Sequence, residues 1–287
     1  MMTDRNHSLK SSDTTTAIGD TSALVLLWCG PEIYRSKAVK NYAEKLDLRK
    51  GNELYHRCNA IWPDYGSVIR YRKLFIAEVS ESILKTGNVR QVVIPGAGFA
   101  MQGIELASRF PDVTVFELDI DNMQAKAKLT EGLPFATNSN LLCLIADIEN
   151  PERCETVLAE AGWKKNEPTL LITEGISYYV SRTSVRRQWK MLAKGSTILF
   201  EYLVPLSMVS RSRKYIPERV FQEIISYCSS SASLTHWSEQ KLKNEPDVIL
   251  ERCCSLSDIE RQFHPDRRLF PERKDGWIEI AFLSRKN

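Results

Sequence analysis

The amino-acid sequence predicts an α/β fold: a doubly wound, mostly parallel seven-stranded sheet preceded by a layer of helices. From Arg90 onward, short apolar runs rich in β-branched residues alternate five times with segments of helical periodicity. These apolar runs are continuous, which is typical of parallel strands covered by helices on both faces. Two later strand-like runs complete the expected sheet.

The expected elements follow from these runs in order. The seven predicted strands are 91–95, 113–119, 141–148, 169–180, 196–204, 248–256 and 277–286. The helices predicted between the first five strands are 104–110, 123–133, 152–163 and 184–194. This alternation of strand and helix is the pattern of the doubly wound class.

The first 88 residues are expected to lie outside the sheet. Residues 21–28 are apolar, helical periodicity continues over 34–48, and 67–84 carries apolar residues three and four positions apart. Residues 1–20 are polar and rich in Ser and Thr, which favours a disordered tail. The predicted organisation is one domain over 21–287, with helices over 21–88 and the sheet core over 89–287.

The composition narrows the class of partner. The chain has 287 residues, of which 43% are hydrophobic and 26% charged, as in ordinary globular proteins. The formal net charge is +3, and no basic run is interleaved with aromatic residues, so no nucleic-acid partner is expected. No apolar stretch reaches the roughly 18 residues of a membrane span, and the polar N-terminus lacks a signal-peptide core. We expect a cytoplasmic protein that acts on a small molecule, with its oligomeric state left open.

The cysteines and histidines show no pattern of a disulfide framework or a metal site. The seven cysteines are odd in number and contain no CxxC, which favours small apolar residues in a reducing compartment. No two of the four histidines have the spacing that places two ligands on one helix face. We therefore expect no metal.

The end of the first strand and the end of the second carry the residues of a nucleoside site. Gly96-Ala97-Gly98 follows the first strand directly and would let a ligand approach the backbone, although tight turns also use glycine. Asp119, with Glu117 as second choice, lies about 20 residues further on, where an acid can accept both hydroxyls of a ribose. The loop is not a clean GxGxxG, which favours an adenosine ligand without a pyrophosphate over a dinucleotide.

A third acid follows the third strand. Asp147 could accept a hydrogen bond from an adenine amino group, and Ile148 could supply a backbone contact. The alternative is that Asp147 begins the helix that follows Asn150-Pro151 as an N-cap. We expect the tips of three adjacent strands to gather Gly96, Asp119 and Asp147 around one adenosine.

Taken together, these segments resemble the leucine carboxyl methyltransferase branch of the class I methyltransferases. VVIPGAGFAMQGIEL resembles the glycine loop of that branch, VFELD its ribose acid, and LLITEGISYYV its fourth-strand segment with Glu174. The resemblance implies a Rossmann-like fold and S-adenosylmethionine as cofactor. It also implies that Arg70, which matches the proline, glycine and arginine spacing of 63–70, holds the methionyl carboxylate; the alternative is an exposed helical arginine. The branch usually has Asp-Thr-Arg after the glycines where this chain has 99–102 (FAMQ), which argues against a protein-terminal carboxylate as acceptor.

The adjacent pair Tyr178-Tyr179 indicates how a sulfonium could be held. Aromatic faces stabilise cations by roughly 0.5 to 2 kcal/mol per contact, although these rings could also be plain core residues. No histidine lies near the predicted strand ends, so strong base catalysis is not expected. The favoured interpretation is methyl transfer to a small secondary-metabolite acceptor that is itself nucleophilic.

Two other functions stay open. The chain is also similar to azetidine-2-carboxylate synthases, which cyclise S-adenosylmethionine and release methylthioadenosine. That similarity implies that Tyr178 and Tyr179 surround the sulfonium and that Asn140 and Ser207 orient the amine, unless these two are turn and loop residues near Asn138 and Pro205. The other function is a non-catalytic protein that has kept the fold. A dinucleotide dehydrogenase ranks lower, because Glu174-Gly175 has no role in one.

Residues 210–246 are expected to cover the substrate.

Overall fold

A computed structural model describes residues 15–134, 140–228 and 234–286. Seven strands form a central sheet, and two strands of two residues pair with each other outside it. In chain order the strands are β1 (Thr16–Ala17), β2 (Leu46–Asp47), β3 (Gln91–Pro95), β4 (Thr114–Asp119), β5 (Leu141–Ile145), β6 (Thr169–Thr173), β7 (Thr197–Leu203), β8 (Val248–Ser255) and β9 (Ile278–Arg285).

The central sheet confirms the predicted fold class. Its strand order is β5-β4-β3-β6-β7-β9-β8, and β3, β4, β5, β6 and β7 pair in parallel. Strand β9 is antiparallel to both of its neighbours, β7 and β8. The strands β3 and β6 are buried along their whole length, as their continuous apolar runs predict, because helices cover both faces.

Helices precede the sheet and connect its strands. In the described part of the chain they are α1 (Asp20–Cys29), α2 (Lys37–Ala43), α3 (Asn52–Ile61), α4 (Tyr65–Lys85), α5 (Gln102–Arg109), α6 (Met123–Thr130), α7 (Pro151–Glu160), α8 (Arg182–Lys190), α9 (Tyr215–Ser226), α10 (Glu239–Lys243) and α11 (Leu256–Phe263). Across the described ranges, every helix is too short or too polar to span a bilayer.

The N-terminal helices form the predicted layer before the sheet, and two of them matter for the site. Helix α1 is apolar on most of its circumference, which is typical of a helix buried on several sides. Helix α4 buries a stripe that includes Val68, Ile69, Phe75 and Ile76, at the spacing of three and four residues that the sequence shows. These two helices contact each other beside the sheet.

Several predicted boundaries differ from the structure. The expected tail over 1–20 ends too late, because Thr16 and Ala17 pair with Leu46 and Asp47; residues 1–14 lie outside the described residues. The fourth strand ends at Thr173, not at 180, since Gly175 turns the chain with a φ of 72°. The covering segment predicted over 210–246 contains α9 and α10, and its residues 229–233 lie outside the described ones.

Asn140 is a structural residue, and its predicted role in orienting an amine is wrong. It lies just before β5, at the amino end of the strand, whereas ligands of such sheets bind at the carboxyl ends. Its Nδ2 donates to the carbonyl oxygens of Ala107, Phe110 and Val113 at 3.1, 3.1 and 2.7 Å. Asn138, the neighbouring residue considered for the same role, lies outside the described residues.

We predict that Asn140→Ala destabilises the protein without touching the ligand site. Loss of the amide leaves buried carbonyl groups with fewer donors, which costs about 1 to 3 kcal/mol of the free energy of unfolding. Urea denaturation measures this cost, and Asn166→Ala, at an exposed position, is the matched control. Equal stability of the two variants would contradict the structural role.

Candidate functional site

A cavity of about 590 Å³ lies at the carboxyl ends of β3, β4 and β6. This is the edge at which open α/β sheets bind their ligands. Helices α1 and α9 cover the cavity, α1 through residues on several of its turns and α9 through Phe221, Ile224 and Ile225. The predicted site residues that line it are Gly96, Ala97, Gly98, Asp119, Glu174, Tyr178 and Tyr179.

The glycine loop has a backbone that only glycine adopts easily. Gly96 and Gly98 have φ angles of 66° and 46°, in the left-handed region. A Cβ atom on Gly96 would lie 2.6 Å from Cγ1 of Ile176, so the turn also has no room for a side chain. The backbone N–H of Gly98 donates to Oδ2 of Asp119 at 2.8 Å, which joins the tips of β3 and β4 at the cavity wall.

Asp119 is an acceptor held at the edge of the cavity. Burial raises the pKa of its carboxyl above the ordinary value, and hydrogen bonds from the N–H groups of Gly98, Asp121 and Ile120 offset part of that rise. Further donors, such as the two hydroxyls of a ribose, would stabilise the ionised form in the same way. The geometry therefore suits the ribose role predicted for this residue.

Glu117, the second choice for that role, does not reach the cavity, and this assignment is wrong. It lies two residues earlier and therefore inside the sheet, where it is fully buried beneath α5 and α6. Its Oε2 pairs with Nζ of Lys126 at 2.7 Å, and both side chains have no exposed surface. Burial raises the pKa of Glu117, while Lys126 opposes the rise. The pair is part of the core.

Asp147 and Ile148 lie beside the cavity but do not line it. Asp147 is exposed, and its Oδ1 accepts from the backbone N–H of Glu149 at 2.9 Å. The alternative role as an N-cap is wrong, because Asn150 caps α7 by accepting from Arg153. Since the N–H of Ala146 donates to the carbonyl of Asp119 at 3.0 Å, the two strand tips are adjacent. The contact with an adenine stays a prediction.

Arg70 points away from the cavity, so the role that the resemblance implied for it is wrong. Its side chain is 43% exposed and pairs with Glu32 at 2.8 Å, which agrees with the alternative of an exposed helical arginine. The next two basic residues of α4, Arg72 and Lys73, are buried and line the cavity. Arg72 lies two positions after Arg70, a rotation of about 200° along the helix, which places its side chain on the opposite face.

Arg72, Lys73, Glu174 and Glu201 form a buried ionic cluster at the cavity wall. Nε of Arg72 lies 3.0 Å from Glu174, its Nη1 lies 3.2 Å from Glu201, and Nζ of Lys73 lies 2.9 Å from Glu174. Burial acts to raise the pKa of Glu174, but Lys73 and Arg72 outweigh it and the pKa is lowered. Burial raises the pKa of Glu201, with Arg72 opposing. Arg72 and Lys73 therefore favour the ionised form of both carboxylates, and at Glu174 their effect on the pKa exceeds that of burial.

The aromatic wall of the cavity includes both predicted tyrosines. The rings of Tyr178 and Tyr179 meet edge to face at 4.8 Å, and Tyr178 meets Phe221 in the same way at 5.2 Å. Nη1 of Arg72 donates to the hydroxyl of Tyr178 at 3.4 Å. Burial raises the pKa of Tyr178 and of Tyr179, so both phenols stay protonated at neutral pH and neither is a base.

Ser207 does not line the cavity, and its predicted role with an amine is wrong. It is exposed, within the short 3₁₀ turn Leu206–Met208 that follows β7. Leu206, the first residue of that turn, borders a second, smaller cavity and not the main one.

The sequence pattern of leucine carboxyl methyltransferases matches residues 20–193, which is more than half of the chain. The chain belongs to the leucine carboxyl methyltransferase family. This finding confirms the resemblance read from the glycine loop, the acid of β4 and the segment around Glu174. A comparison with curated proteins by sequence found no match.

Two solved structures show the same fold as this family member. A DUF574 family protein from Streptomyces avermitilis MA-4680 is 14% identical with a TM-score of 0.67, and the match covers 93% of this chain and 98% of that one. A candidate methyltransferase from Thermobifida fusca YX is 13% identical with a TM-score of 0.66, over 96% of this chain and 97% of that one. Family and fold together indicate a methyltransferase that depends on S-adenosylmethionine.

Sequence reasoning missed three parts of the candidate site. The first is α1, whose residues Thr21, Ser22 and Trp28 face the cavity; no local pattern distinguishes them from core residues. The second is the pair Arg72 and Lys73, and here a signal exists, because they lie four residues after Val68 and Ile69 on the apolar stripe of α4. A charged residue on such a stripe is buried and must find a partner. The third is Gln102, the first residue of α5, which also lines the cavity.

We predict that Asp119→Ala weakens binding of S-adenosylhomocysteine by about 5- to 150-fold, since a charged acceptor of buried hydroxyls contributes about 1 to 3 kcal/mol. Isothermal titration calorimetry measures the dissociation constant. Asp121→Ala is the control, because Asp121 also lines the cavity but is exposed. A loss of the same size in both variants would refute the ribose role of Asp119.

We predict that Lys126→Met costs about 3 to 5 kcal/mol of the free energy of unfolding, because it leaves the carboxylate of Glu117 buried without a partner. The double variant with Glu117→Gln should recover a large part of this loss, whereas Lys128→Met, at an exposed position of the same helix, should change little. Urea denaturation measures the free energy of unfolding of all three variants. A double variant no more stable than Lys126→Met would show that the pair is not the source of the loss.

Proposed function

We propose that this chain uses S-adenosylmethionine to methylate a small-molecule acceptor that reaches the cavity already in its nucleophilic form. The observation that carries the proposal is the meeting of Gly98 and Asp119 at one wall of a cavity whose other wall is aromatic. That combination suits a ligand with a ribose and a sulfonium. Membership of the family supports the same ligand.

The cavity offers a distinct group to each part of the cofactor. Asp119 can accept the ribose hydroxyls, and Ile120, which is 59% exposed, offers an apolar surface for a purine. The methionyl end carries an ammonium and a carboxylate, for which Glu174 and Lys73 supply an acceptor and a donor at the cavity wall. The adenine contact of Asp147 and Ile148 belongs to the same proposal, since β5 lies next to β4.

Tyr178 and Tyr179 are proposed to hold the sulfonium. When bound, S-adenosylmethionine would supply a methyl group on a positively charged sulfur, and that sulfur would keep the electrons of the S–CH₃ bond and leave as a neutral sulfide. The two rings contribute their negative faces, which attract a cation but not a neutral sulfide. They stay protonated, so they orient the ligand and take no proton.

The lining of the cavity limits the acceptor. Among its described residues there is no histidine, and its carboxylates are Asp119, Asp121 and Glu174. Glu174 is engaged by Arg72 and Lys73, and Asp119 is proposed for the ribose. Asp121 is exposed at the tip of β4, next to the proposed ribose site, so the described residues leave no general base at the tyrosine wall. There an ordinary alcohol would react slowly, whereas an amine, a thiolate or a carboxylate needs only positioning. The acceptor class that fits is therefore one of these three.

The direct test starts with binding and goes on to products. Calorimetric titration with S-adenosylhomocysteine should show a saturable site; no binding of it or of S-adenosylmethionine would favour a non-catalytic protein. The protein is then incubated with S-adenosylmethionine alone and with sets of small amines, thiols and carboxylic acids. S-adenosylhomocysteine formed only with an acceptor supports the proposal. Methylthioadenosine and a four-membered imino acid formed without an acceptor would instead establish cyclisation.

We predict that the tyrosine ring, not its hydroxyl, contributes to sulfonium binding. Tyr179→Ala should weaken binding of S-adenosylmethionine by about 2- to 30-fold more than binding of S-adenosylhomocysteine, because only the former is a cation. Tyr179→Phe should bind both ligands as the wild type does. Tyr215→Ala, at a position outside the cavity and 43% exposed, is the control. An equal loss for the two ligands in Tyr179→Ala would argue against a cation–π contact.

A further inference from the structure

Gln102 has a buried polar side chain in the wall of the cavity. It is the first residue of α5, it lines the cavity, and it is only 1% exposed. Neither Oε1 nor Nε2 of its amide has a hydrogen-bond partner among the described residues. Buried amides in proteins nearly always have a hydrogen-bond partner, because moving an amide out of water without a new partner costs free energy. Such a group facing a cavity indicates a ligand that supplies the partner.

The surroundings of α5 show which end of a ligand this would be. Glu105, one turn after Gln102, accepts from the backbone N–H groups of Arg35 and Ser36. The adjacent Tyr34 also has a buried, unpaired hydroxyl, and after burial the charge of Glu174 is the main cause that raises the pKa of Tyr34. Gln102 lines the same cavity as Arg72, Lys73 and Glu174 of the ionic cluster, so one ligand can contact both.

The ionic cluster has no excess charge, so a neutral side chain is suited to be the additional ligand contact beside it. Its two cations, Arg72 and Lys73, are balanced by its two carboxylates, Glu174 and Glu201, and each cation is paired with at least one of them. A ligand group with one ammonium and one carboxylate is also neutral overall. An amide offers such a group both a donor and an acceptor without changing the balance of charge.

We propose that Gln102 is a specificity-determining contact for the amino acid end of the cofactor, with Nε2 donating to its carboxylate or Oε1 accepting from its ammonium. This inference rests on the proposed function. It makes Gln102 a residue that separates S-adenosylhomocysteine from methylthioadenosine, which has the same nucleoside and thioether but no amino acid.

The test compares these two ligands in one variant. Gln102→Met keeps the approximate size and removes both polar atoms. It should weaken binding of S-adenosylhomocysteine by about 5- to 50-fold and change binding of methylthioadenosine by less than twofold. The melting temperature without ligand should be unchanged or higher, because an unpaired buried amide is lost. The control is Gln124→Met, an exposed position on α6. Should the methionine variant not fold, Gln102→Glu preserves the shape, and the same pair of affinities applies to it.

The outcomes separate the two levels of the proposal. If the wild type binds neither ligand, the proposed function itself fails. If the wild type binds S-adenosylhomocysteine and the Gln102 variant binds it equally well, Gln102 is no ligand contact. If the variant loses affinity for both ligands to the same extent, Gln102 contacts the nucleoside or supports the wall, and the inference is overturned. A selective loss for the ligand with the amino acid supports it.

Discussion

The rest of the structure depends on the buried ionic cluster that joins α4 to the sheet. Arg72 reaches from the N-terminal layer to Glu174, just after β6, and to Glu201 on β7. Buried charges persist only when they are paired, so the helix has one favourable position relative to these strands. The same guanidinium contacts the hydroxyl of Tyr178. One set of charges therefore places the helical layer, the turn after β6 and the aromatic wall relative to each other, and the cavity is the space that this arrangement leaves.

The two acids of β4 show how position along one strand separates structure from binding. Glu117 lies within the sheet, where Lys126 neutralises it in the core. Asp119 lies at the tip, where backbone N–H groups hold one side of the carboxylate and the cavity meets the other. Their chemistry is the same, and two residues of strand, about 7 Å, decide which one can reach a ligand. Lys126 connects the two regions, since it also donates to the carbonyl of Ala100 in the glycine loop.

The sequence predicted the sheet and the residues at its carboxyl edge because both follow from local patterns. Continuous apolar runs mark the strands, and a residue that ends or follows such a run, as Asp119 and Gly96 do, lies at the edge of the sheet. Predictions failed where the answer depends on the phase of a helix or on tertiary packing. Arg70 and Arg72 differ only in the face of α4 that they occupy. Asn140 lies next to a strand, but at its amino end. Nothing local in the sequence indicates that α1 covers the cavity.

The position of β9 has a consequence for how the chain assembles. Among the described strands, β8 pairs only with β9, and β9 lies between β7 and β8 although it follows both in the chain. A nascent chain that has emerged from the ribosome as far as β8 therefore has a strand without its neighbouring strand to pair with. The contacts of β3 to β7 can form during synthesis, whereas the far side of the sheet must wait until the later strand inserts between two earlier ones. Completion of the sheet by β9 and β8 is thus delayed until translation has passed residue 285.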